Sequence, residues 1–106
     1  MRRLAVAVAL AAATALAACS SPAWPKTAGE TTCSEWTDQM TQGQRDTVGT
    51  AILMTLRQKD GGVYAPRDAV IAAYIGAITD TCKGNPDAKI STVGATLYGL
   101  SKDLHP

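Results

Sequence analysis

Several absences narrow this chain before anything present is considered. It has one histidine in 106 residues, and its three cysteines form neither a CxxC pair nor a Cys/His cluster. A metal site of thiolates and imidazoles therefore has no ligand set to start from. The lone His105 is next to last, a position that frays, so Ser101, Asp103 and His105 do not read as a triad, which needs its base held by a third group. The expectation is a protein with no catalytic residue, no metal and no cofactor apart from a lipid. No basic stripe studded with aromatics is present, which argues against nucleic acid. No glycine-rich phosphate loop is visible either, since Gly61-Gly62 fits a plain helix stop. No apolar run reaches the ~20 residues that a membrane-spanning helix needs. No segment alternates as a strand does, although "GGVYAP" is compatible with a locally extended stretch.

What is present begins with an address. Met1-Arg2-Arg3 precedes "LAVAVALAAATALAA", Leu4 to Ala18, which carries no charge. This is the build of a secretory signal peptide, so residues 1–18 are expected to be removed. The twin arginine lacks the rest of a Tat signal, and general secretion fits better. Leu16-Ala17-Ala18-Cys19 resembles a bacterial lipobox, whose cysteine thiol receives diacylglycerol before cleavage makes it the first residue. An N-acyl chain is the further addition such a residue can take, palmitate being a typical acyl group. Each buried CH₂ contributes about 0.8 kcal/mol and stable anchoring generally needs more than one chain, which the glycerol supplies. Cys19 is then the lipid attachment site, and the protein is expected at the extracytoplasmic face of a bacterial membrane.

Loss of Arg2 and Arg3 takes ten basic residues to eight, against nine acidic ones, so the mature chain is close to neutral. Residues 19–31, rich in Ser, Pro, Gly and Thr, read as a lipidated flexible linker. Trp24 within it is either a membrane-interface contact or a solvated linker residue. Residues 32–106 form one small domain, of a size at which cores are marginal and staples common. Cys33 and Cys82 are the only other thiols, and export puts them in an oxidising compartment. A disulfide closing about 50 residues contributes roughly 4 kcal/mol in the chain-entropy model.

The domain reads as all-α, a small disulfide-stapled bundle of about four helices. Thr32 and Glu35 form a capping box ahead of a short helix near 33–40, with Cys33, Trp36 and Met40 on one face. Thr41 and Gln44 repeat the box before a second helix, which carries Val48, Ile52, Leu53 and Leu56 and stops at Gly61-Gly62. The third is expected to open with Pro66 at its first position and Asp68 in its first turn. Its stripe is Ile71, Tyr74, Ile75, Ile78 and Cys82, and Gly84 closes it. Asn85 as cap and Pro86 as first residue are expected to start the fourth, with Ile90, Val93, Leu97, Leu100 and Leu104 on one side. Gly49, Gly76, Gly94 and Gly99 fall inside helices at a cost of up to about 1 kcal/mol each. Either they admit close neighbours or they mark a weak scaffold that leans on its disulfide.

An exported small helical domain with "TCSEW" opening its first helix, "VGTAILMTLRQKDG" in its second, "PRDAVIAAY" leading to the second cysteine and a last amphipathic helix resembles the HdeA-type acid-stress chaperones of the bacterial periplasm. The likeness spans about residues 31 to 104. It implies a domain that is folded at neutral pH, loosens or dissociates in acid, and then holds unfolding envelope proteins on newly exposed apolar surface. Client-binding candidates are Ile52, Leu53, Leu56, Ile71, Tyr74, Ile75 and Ile78, which also read as ordinary core at neutral pH. The family's members are free dimers, whereas a lipobox tethers this chain, leaving homodimer and membrane-surface monomer both open. The rival reading is an envelope module that binds a partner protein or an apolar ligand without a pH switch; apolar surface exposed at neutral pH favours it.

Overall fold

The computed structural model describes residues 22–106; the expected signal peptide at 1–18 and Cys19 lie outside them. Among the described residues the regular structure is helical: α1 (Cys33–Asp38), α2 (Gln42–Lys59), α3 (Asp68–Cys82), α4 (Ile90–Leu100) and a closing 3₁₀ turn at Lys102–Leu104. This is the small disulfide-stapled bundle that the sequence pattern predicts.

Both predicted capping boxes form. Thr32 and Thr41 side chains accept the backbone N–H of Glu35 and Gln44, whose own side chains reach back to the cap N–H groups. α2 ends as Gly61-Gly62 suggests: the Gly61 N–H donates to Gln58 O and the Gly62 N–H to Arg57 O, a Schellman motif. Gly61 takes the left-handed conformation this requires, φ 84°.

Three expectations need correction. Pro66 does not open α3. Arg67 is the N-cap, its carbonyl accepting from Val70 and Ile71, and Pro66 is buried just ahead of it. Asn85 and Pro86 do not open α4 either, which begins at Ile90 after the Lys89 cap. The Pro86 and Ala88 carbonyls instead accept the N–H groups of Ser34 and Cys33, and the Ile90 N–H donates to Thr31 O. Residues 86–89 thus satisfy the free N–H groups at the start of α1, and a helix there would withdraw those acceptors. Leu100 leaves the stripe: the chain turns extended at Ser101, so Leu100 is 79% exposed while Leu104 returns to the core at 7%.

The core gathers Trp36 and Cys33 of α1, Leu53 of α2, Tyr74, Ile75, Ile78 and Cys82 of α3, and Ile90, Val93 and Tyr98 of α4. The Cys33–Cys82 disulfide ties α1 to the end of α3 inside it. Trp36 is fully buried, and its indole N–H donates to Thr79 Oγ1 at 3.0 Å. Arg45 finishes α1 from the next helix: Nε donates to Trp36 O and Nη2 to Met40 O, each at 2.8 Å.

Candidate functional site

The seven apolar candidates do not form one patch. Leu53, Tyr74, Ile75 and Ile78 are buried, while Ile52, Leu56 and Ile71 are half-buried at the margin of the core. Periodicity marks the inward face of each helix, and in a small bundle the middle of that face is core by necessity.

A groove of about 700 Å³ lies between α3, the end of α4 and the closing 3₁₀ turn. This lies within the ~300–1,000 Å³ typical of ligand sites. Ala69, Val70 and Ala73 of α3 face Leu97 and Leu104 across it, with Arg57 and Arg67 also on its lining. Neither arginine has an ion-pair partner among the described residues. The Arg57 Nε–H and the Tyr74 hydroxyl are buried without hydrogen-bond partners, and burial pushes the Tyr74 pKa up. Beside the groove, the α2–α3 loop exposes Val63 at 83% and Tyr64 at 84%.

Ser101, Asp103 and His105 all line this groove. The expectation that His105 frays is wrong, because its ring stacks on Tyr98 with centroids 4.2 Å apart. Its Nε2 lies 2.8 Å from Tyr98 O, so that nitrogen is the donor, and Nδ1 lies 3.8 Å from Asp60. Both ring nitrogens thus face groups other than Ser101. The Tyr98 hydroxyl donates to Asp60, and burial together with that carboxylate pushes its pKa up to about 12. Arg57 Nη1 donates to Leu104 O at 3.1 Å. Asp60 and Arg57, at the end of α2, thereby fasten the C-terminal segment as one wall of the groove.

The N-terminal segment is fastened as well. Residues 22–31, expected to be a flexible linker, lie against the bundle. Gln44 Nε2 donates to Pro22 O at 2.8 Å, and Trp24 packs on the core while its indole donates to Thr31 Oγ1. Lys26 pairs with Glu35, a residue only 9% exposed. The Lys26 hydrogen bond, then the Thr32 backbone N–H, hold the Glu35 carboxyl below its ordinary range.

Among the described residues no cluster of three or more His, Cys, Asp or Glu is placed to hold a metal ion, and no helix is long and apolar enough to cross a membrane. Comparison with known families, characterised proteins and solved structures finds no match.

Proposed function

We propose that the chain is an exported lipoprotein, anchored through Cys19 at the extracytoplasmic face of a bacterial membrane, whose non-catalytic helical domain acts as an acid-responsive holdase of the HdeA type. The observation that carries this reading is that both terminal segments are fastened over the bundle through carboxylates, the N-terminal one by Lys26–Glu35 and the C-terminal one by Tyr98 and His105 on Asp60.

A carboxylate is a strong acceptor only while ionised; hydrogen bonds to charged groups are roughly twice as strong as neutral ones. Glu35 has a lowered folded pKa. Its contribution to stability is complete above the unfolded value near 4.5 and is lost as pH falls through the folded value. The C-terminal segment is held at the carboxylate-bearing end of α2, where Asp60 accepts from the Tyr98 hydroxyl and lies 3.8 Å from His105 Nδ1. With all nine carboxylates neutral, the eight basic residues of the mature chain and His105 repel one another. The disulfide limits how far the chain opens, and apolar helix faces under the two segments become available to unfolding envelope proteins.

The test is light scattering from an acid-unfolding client protein, with and without oxidised residues 20–106. Suppression at pH 2–3 but not at pH 7 supports the holdase; none at either pH removes it. A second reading, a partner- or ligand-binding module without a switch, is favoured by the open groove with Val63 and Tyr64 exposed beside it in the folded state. Suppression or partner capture at pH 7 selects that reading.

A further inference from the structure

The N-terminal segment also limits how an anchored molecule can sit. The packed chain begins at Pro22, held by Gln44, and Trp24 and Lys26 fix the residues after it. Only Ser20 and Ser21 separate Pro22 from Cys19. Three Cα-to-Cα steps span about 10 Å at full extension, so a lipid on Cys19 emerges within that distance of Pro22, which sits on Gln44 of α2.

Along α2, Val48, Ala51, Ile52 and Thr55 continue the Gln44 face, since residues three and four apart stack on one side of a helix. With Ala95 of α4 across from them they line a second groove, about 520 Å³, whose lining is mostly apolar. Lys26 and Lys59 are also part of that lining and no carboxylate is. Lys26 is already matched by Glu35, whereas Lys59 has no acidic partner among the described residues. Arg57, two and a half turns beyond Val48 at about 3.6 residues per turn, projects from the opposite side of α2 and lines the first groove.

We infer that the anchor holds the α2–α4 groove face against the membrane, that the surface this face fits is an anionic phospholipid headgroup layer, and that the larger groove is turned outwards. The inference rests on the reading of Cys19 as the lipid attachment site. A leash this short limits the orientations the domain can take. Glu35 and Glu30 are engaged by Lys26 and Thr27 at the groove's edge, and Lys59, cationic and without an acidic partner among the described residues, is the charge that an anionic surface attracts. The apolar lining between Lys26 and Lys59 suits the acyl region just below the headgroups.

The test couples Cys19 of residues 19–106, the one thiol left once Cys33 and Cys82 are bonded, to a maleimide lipid in vesicles containing phosphatidylglycerol. Lysine acylation by a water-soluble reagent is then read residue by residue by mass spectrometry, coupled against uncoupled. Lys26 and Lys59 are expected to react several-fold more slowly when coupled, with Lys102, beside the larger groove, unchanged, and the protection is expected to shrink on phosphatidylcholine vesicles. Equal rates at all three lysines, or slowing at Lys102 instead, overturns the orientation; equal protection on both vesicle types overturns the anionic surface. Chemical coupling replaces cellular lipidation, so this result is independent of the Cys19 reading. That reading is tested separately by palmitate labelling of the cellular protein and its Cys19→Ala variant.

Discussion

Gly49 and Gly94 sit where the bundle leaves no room for a methyl group. A Cβ on Gly49 would meet Ile75 Cγ1 at 2.6 Å, and one on Gly94 would meet the Tyr74 hydroxyl at 2.5 Å, whereas one on Gly76 would meet nothing within 4 Å. Close packing accounts for the first two glycines and not for Gly76 or Gly99, which both stand open. Gly49→Ala is therefore expected to cost about 1–3 kcal/mol through overpacking, and Gly76→Ala to stabilise by up to about 1 kcal/mol; urea unfolding midpoints check both. Arg45→Ala removes two charge-assisted bonds, to the Trp36 carbonyl in α1 and the Met40 carbonyl just beyond it, and is expected to cost roughly 2 kcal/mol by the same measurement. Glu35→Gln removes the ion pair with Lys26. Since the Glu35 pKa is lowered on folding, the stability gap between wild type and variant should be widest near neutral pH and narrow as pH falls below about 4.5.

At the scale of elements, the staple joins the shortest α-helix, α1, to the last residue of α3. α1 has six residues, too few to hold a helix by itself in water, so its place depends on Cys33 and on the carbonyls of residues 86–88. Replacing both Cys33 and Cys82 by Ala is expected to cost about 4 kcal/mol, read from thermal unfolding with and without reductant on the wild type. Thr32 and Thr41 are legible as caps because a capping box is local, both partners lying three residues apart. The start of α4 is not legible for the opposite reason: what removes Pro86 from a helix is a pairing with Ser34, far away in sequence. The hold on His105 likewise depends on Asp60 and Tyr98, and nothing around Leu104 in the chain announces it. A tryptophan inside a proline- and serine-rich stretch is the one local sign that residues 22–31 pack down. Stripes reveal which residues turn inward, but the grooves arise between elements, where periodicity of a single helix carries no information.

Seen whole, the domain is a stapled bundle with residues 22–31 and 101–106 strapped against it. The N-terminal strap depends on ionised Glu35 and the C-terminal one is tied to Asp60 through Tyr98 and His105, while the disulfide does not respond to pH. Acid is therefore expected to loosen the ends first and leave α1 joined to α3. The most direct measurement of that claim follows far-UV circular dichroism and the fluorescence of an apolar-surface dye on oxidised residues 20–106 from pH 7 to pH 2 and back. Dye binding is expected to rise, reversibly, as pH falls below about 4.5, the range where Glu35 loses its charge, with helicity falling alongside. A domain that stays fully helical and gains no dye at pH 2 would contradict the acid-responsive reading and leave the open groove as the site to pursue.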